Sequence, residues 1–163
     1  MELWDAYTAD GTPTGEILVR GEPIPAGRYH LVSEVLIRHR DGGWLVMRRD
    51  PGKDYCPGFW EASAGGSALA GEDSLTAAHR EVREETGLSV RDLQLIYQEI
   101  GDSYLFDNYV GITDDDKAAV TLQPGETVDY RWVDTDTLVE LIESGQCMND
   151  HMLKAYKSKL YSL

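Results

Sequence analysis

The feature that most limits how this chain can fold is the stretch from Gly66 to Gly87, where three glutamates crowd one side of a short helix. At about 100° per residue, Leu75, Ala78, Val82 and Thr86 gather on one face, which is expected to enter the core. Asp73 or Ser74 stands where an N-cap is needed, and Gly87 where a left-handed residue would end the helix. Glu81, Glu84 and Glu85 then share an arc beside the apolar face. Their i, i+3, i+4 spacing makes them surface neighbours, and like charges so placed cost a helix roughly a few tenths of a kcal/mol per pair. A sequence shaped for stability alone would carry lysine at one of these positions. Two readings are open. The arc is a solvated acidic face partly neutralised by Arg80 and Arg83, or it is a site where carboxylates converge on a hard cation such as Mg²⁺, which takes oxygen ligands and also grips phosphates.

The rest of the chain supplies a sheet for this helix. Residues 3–7 followed by Asp10-Gly11 read as a strand and turn. Glycines and prolines then surround Ile17-Leu18-Val19, so residues 1–28 are expected to form an extended arm or hairpin packed on the remainder. Residues 29–40 alternate with branched apolar residues and predict a central strand. Asp41-Gly42-Gly43 signals a hairpin whose return strand is 44–49. A turn-rich loop (50–57) leads to a short strand at 59–63, which delivers Gly65-Gly66 to the carboxylate helix. Strands follow at 93–100, 103–113 and 128–133, with Asp114, Asp115 and Asp116 as a solvated loop tip. A helix at 137–143 is stopped by Gly145, and a last helix runs from about Asp150 to Tyr161. Interspersed strands and helices with clear hairpins predict an α+β class, a mixed sheet with helices on both faces.

A chain of 163 residues is expected to form one domain with a sizeable core. Its net charge of −14 argues against a groove for a nucleic-acid polymer, because nothing resembles a basic stripe. No apolar run is long enough to span a membrane, and the first residues do not resemble a secretory signal. With only Cys56 and Cys147, a reduced cytoplasmic protein with free thiols is expected.

The segment resembles the Nudix box: Gly, five residues, Glu, seven residues, then Arg-Glu-apolar-x-Glu-Glu-x-Gly-apolar. Gly66, Glu72, Arg80, Glu81, Val82, Glu84, Glu85, Gly87 and Leu88 fill every fixed position. The resemblance decides between the two readings above. It implies a mixed β-sheet sandwiched between α-helices, and Mg²⁺-dependent hydrolysis of a diphosphate linkage in a nucleoside diphosphate derivative or related organic pyrophosphate. Mn²⁺ is the expected substitute ion, and the expected partner is a small phosphorylated substrate met by a monomer or homodimer.

The resemblance further implies Glu81, Glu84 and Glu85 as metal ligands, with the Gly65 carbonyl beside them and Arg80 orienting a carboxylate. Glu72 either stabilises the helix through its dipole or joins the metal network through water. The family often adds one acidic residue from outside the box. Glu126 is favoured for that role, with Asp107 and Glu99 as the other candidates. Arg48 and Arg49 could reach substrate phosphates, although strand alternation turns at most one of them inward. His30 is a further substrate-contact candidate, and Tyr55, Phe59, Trp60, Tyr104 and Phe106 are candidates for stacking on a base.

A second resemblance is more particular. Tyr29-His30-Leu31, Arg48-Arg49, Lys53, residues 57–60 and residues 129–132 are similar to isopentenyl-diphosphate isomerases, which share the Nudix fold. Those enzymes need a cysteine and a metal-binding histidine after the Trp, where this chain has Gly65 and Ser67. The expectation is therefore an isomerase-like scaffold carrying hydrolase machinery. The alternatives are an isomerase-like enzyme and a Nudix-fold ligand sensor without turnover.

Overall fold

The computed structural model describes residues 1–147 and 160, and the helix expected from Asp150 to Tyr161 lies outside them. The chain begins with two strands, β1 (Leu3–Tyr7) and β2 (Pro13–Val19). Next come β3 (His30–His39), β4 (Trp44–Arg49), β5 (Trp60–Glu61) and β6 (Ala64–Ser67). Helix α1 (Ser74–Thr86) is followed by β7 (Arg91–Ile100), β8 (Tyr104–Thr113), β9 (Thr127–Val133) and α2 (Thr135–Glu143).

Strand β3 holds the centre because its branched residues are wanted on both faces. Val35 and Ile37 pack with Ala78 and Val82 of α1, whereas Leu36 packs with Leu138 and Ile142 of α2. Beside it β8 runs parallel, in register from His30 opposite Tyr104 to His39 opposite Thr113. Outside β8 lies β7, antiparallel. On the other side β4 carries β5 and β9, both antiparallel. The result is a mixed seven-stranded sheet between helices, as the sequence pattern implies. No helix among the described residues is long and apolar enough to cross a membrane.

Three local expectations are corrected. The β3–β4 hairpin pairs only at Arg38 and Trp44 and then splays. The strand expected at 59–63 breaks at the same level, with β5 joining β4 and β6 joining β3. Ser63 explains how the gap is tolerated. Its buried hydroxyl accepts the Ile37 N–H at 2.8 Å and donates to the Leu45 carbonyl at 2.7 Å, satisfying groups that a ladder would have paired. Leu75, expected in the core, is 44% exposed, and Ala77 is buried instead. The first turn of α1 is seated by Ser74, whose hydroxyl lies 3.1 Å from that of Ser33 and accepts from Tyr109 at 2.9 Å. That contact rotates the neighbouring Leu75 toward solvent.

Strands β1 and β2 form a separate two-stranded hairpin around Trp4, Ala6 and Leu18. It is tied down at both ends. Tyr7 and Tyr29 exchange backbone bonds at 2.8 and 3.0 Å. The Ala70 N–H reaches the Leu3 carbonyl at 2.8 Å, and the Gly71 N–H reaches the Asp5 carboxylate at 2.7 Å. The hairpin is thereby fixed against the loop that feeds α1.

Candidate active site

Both ends of α1 are capped, which fixes the phase of its side chains. Asp73 accepts the Thr76 N–H at 2.7 Å, and Gly87 takes φ 71° so that its N–H meets the Arg83 carbonyl. Glu81, Glu84 and Glu85 then face one cavity of about 470 Å³, closed opposite by Gly65, Gly66 and Ser67 of β6 and by Glu126 ahead of β9. The splay of β3 from β4 brings β6 under the helix.

Glu85 accepts the Gly65 N–H at 3.0 Å. Burial pushes its carboxyl up to about 8, and repulsion from Glu81, Glu61 and Glu126 adds to this while the Gly65 N–H opposes it. Burial also raises Glu81, against the pull of Arg80. Gly66 makes room for this: a Cβ there would lie 2.3 Å from Glu81 Oε1, so any side chain would expel the carboxylate.

Arg80 is the hub of the acidic group. Its guanidinium takes both oxygens of Glu72 at 2.9 Å, Glu81 at 2.7 Å, Glu84 at 3.2 Å and the Ser67 carbonyl at 3.1 Å. Glu72 also accepts the Leu69 N–H at 2.9 Å. It therefore anchors Arg80 and closes the entry loop, a role beyond a dipole effect.

Six glutamates and four basic side chains line the cavity. Acidic groups outnumber basic ones in this lining, which suits a cation. Among the described residues, no three metal-ligating side chains converge ready-made on one point. Glu81 is turned to Arg80 and Glu85 to Gly65. The donor chemistry still fits a hard cation, because such an ion takes oxygen donors and keeps several waters, so one or two direct carboxylates suffice.

The other candidates separate clearly. Glu126 lines the cavity, paired with Lys53 at 2.5 Å. Asp107 and Glu99 line a different cavity, with Tyr7 and Leu31. Arg49 points into the site and holds Glu61 at 2.7 Å, whereas Arg48 turns away toward the Gly58 carbonyl and the Trp60 ring. His30 lies outside this cavity, stacked on Trp4 with centroids 4.2 Å apart. With Tyr104 and Phe106 it lines a smaller cavity of about 220 Å³. Tyr55 is exposed and Trp60 is buried in the core. Asp114 pairs with Arg91 and Arg40, Asp115 accepts the Ser89 N–H and Asp116 caps a short 3-10 turn, so that loop is tied down by its own acids.

Among the lining residues without a counterpart in the sequence reading of the site are Glu2, Trp4, Arg20 and Glu61. A charge between Trp60 and Ala62 in a buried strand is a readable signal for Glu61. The hairpin residues offer none, since their approach depends on long-range packing.

Known proteins resemble this chain in sequence and in fold. The NUDIX domain pattern matches residues 28–155. An uncharacterized Nudix hydrolase of Listeria monocytogenes is 38% identical over 149 residues, which cover 90% of this chain and 88% of that protein. An isopentenyl-diphosphate Delta-isomerase of Klebsiella pneumoniae is 29% identical over 120 residues, covering 69% of this chain and 65% of the isomerase. A crystal structure from Deinococcus radiodurans superposes with a TM-score of 0.76 at 20% identity, covering 96% of this chain and all of that one, a likeness of fold. With its glutamate helix intact and residues 28–155 matched, this chain belongs to the NUDIX domain family.

Proposed function

We propose that this Nudix pyrophosphohydrolase cleaves its diphosphate substrate at the Glu81–Glu84–Glu85 cavity, with Mg²⁺ as the working ion and Mn²⁺ as a substitute. The observation that supports this most strongly is the convergence of Glu81, Glu84 and Glu85 of α1 with Gly65, Gly66 and Glu126 on one cavity, where desolvation raises the Glu81 and Glu85 carboxyls. A purely structural helix face has no reason to bury repelling acids. When bound, the ion neutralises charge on the phosphate oxygens and acidifies a coordinated water.

Glu81, Glu84 and Glu85 hold the ion, the Gly65 carbonyl adds a backbone oxygen, and Arg80 keeps Glu81 and Glu84 in place. Arg49 contacts a substrate phosphate. Water attacks one phosphorus, the bridging P–O bond breaks, and the leaving phosphate keeps the electron pair. Glu126 takes the proton of the attacking water. The resemblance to the isomerases puts Gly65 and Ser67 where those enzymes carry a cysteine and a histidine, and no cysteine lines this cavity among the described residues, which supports hydrolysis over isomerisation.

A hydrolysis screen tests the reading. Nucleoside triphosphates, dinucleotides, nucleotide sugars, coenzyme A and prenyl diphosphates are incubated with Mg²⁺, and products are identified by mass. We expect one group to be cleaved at a P–O–P bond, with turnover lost on chelation. Ligand binding without cleavage anywhere in the panel would favour a sensor.

A further inference from the structure

The β1–β2 hairpin lies outside the span matched by the family, yet Glu2 and Arg20 line the same cavity as Glu81, Glu84 and Glu85. Their placement is built. Glu2 accepts the Trp4 indole N–H at 2.8 Å through one carboxylate oxygen and Arg20 Nη1 at 2.7 Å through the other. Trp4 in turn stacks on His30 of β3, and the Arg20 N–H bonds the Glu2 carbonyl at 3.0 Å.

Counted over the described residues, Arg20 keeps the most donors open of the four basic side chains in the cavity. Arg80 holds four partners, Arg49 holds Glu61 and the Tyr55 carbonyl, and Lys53 holds Glu126. Arg20 is 63% exposed at its side chain and bonds Glu2 through Nη1 alone. The attraction of Glu126 and Glu81 is felt at its guanidinium, so it lies within electrostatic reach of the acidic cluster.

Resting on the hydrolase reading above, we propose that Arg20 clamps the substrate phosphate farthest from the glutamate cluster, which makes the hairpin a specificity-determining wall of the site. A planar guanidinium suits bidentate phosphate binding. In the free protein Glu2 holds that guanidinium in waiting, and an incoming phosphate displaces the carboxylate. Trp4 retains Glu2 after the exchange, so the hairpin does not come loose.

The test compares Arg20→Ala, Arg20→Lys and Glu2→Gln with wild type. One readout is kinetics on whichever panel substrate the wild type cleaves. The other is calorimetric binding of magnesium methylenediphosphonate, a diphosphate that cannot be hydrolysed at the bridge. Arg20→Ala should raise KM and weaken the probe about tenfold or more, with kcat within about threefold. Arg20→Lys should fall between. Glu2→Gln should tighten both, because it removes a repelling carboxylate and frees Arg20. A merely structural ion pair would instead weaken both variants in the same direction. That result, or unchanged KM and binding in Arg20→Ala, overturns the clamp alone. A wild type that neither binds the probe nor cleaves the panel overturns the hydrolase reading and the clamp together.

Discussion

Glu85→Gln is expected to abolish most turnover while making the cation-free protein more stable above neutral pH. The two effects share one cause. Glu85 is half-buried, and desolvation pushes its carboxyl up to about 8 in the folded chain, whereas in the unfolded chain it ionises near 4.5. The folded state therefore binds more protons between these limits, so stability falls as pH rises from about 4.5 to about 8. The contribution of the protonated group is fully present below that window and gone above it. Each pKa unit corresponds to about 1.4 kcal/mol, so the variant should gain on the order of a few kcal/mol over wild type at pH 9. Denaturant melts of both proteins at pH 5 and pH 9 measure this. Turnover should fall about a hundredfold or more, as a neutral amide replaces a charged oxygen donor. Near wild-type turnover would remove Glu85 from the site.

Arg80→Met is expected to act in the opposite sense on stability. Arg80 is 21% exposed at its side chain, and its loss strands Glu72 and Glu81, at 17% and 12%. Removing one partner of a mostly buried charge group leaves the others uncompensated, at a cost of about 3 kcal/mol. Arg80→Lys should recover part of the charge but not the paired contact with both Glu72 oxygens, so stability returns only in part. Turnover should drop in both variants, because Glu81 and Glu84 lose their orienting partner. Denaturant midpoints and steady-state kinetics report the two effects. A lysine variant equal to wild type in both would reduce Arg80 to an ordinary surface pair.

How legible the site was depended on whether its parts are local. The glutamate arc and the Gly87 terminus follow from spacing within one helix, and of the two cap candidates, Asp73 and Ser74, the structure uses Asp73. Leu75 was misjudged because helical phase alone does not say how the first turn is seated. The Ser74 contacts with Ser33 and Tyr109 decide that, and they join positions far apart in the chain. The β3–β4 splay was hidden for the same reason. One hydroxyl, Ser63, bridges the gap where a stretch of ladder is missing. Glu126 and Asp107 are equally acidic in the sequence, and only the sheet register sends them to different cavities. Glu2 and Arg20 reach the site through a hairpin whose docking rests on backbone bonds to Tyr29 and Ala70, which no local pattern announces.

Glu81, Glu84 and Glu85 of α1 are proposed to hold a divalent cation. The most direct measurement is the melting temperature of wild type and Glu85→Gln at pH 8 across a MgCl₂ series, with NaCl at matched ionic strength. An ion that binds only the folded state stabilises it in proportion to the logarithm of its concentration above Kd. The account predicts a rise with Mg²⁺ in wild type, little rise in Glu85→Gln, and none with NaCl in either. An equal rise in both proteins, or no rise in wild type, would contradict it.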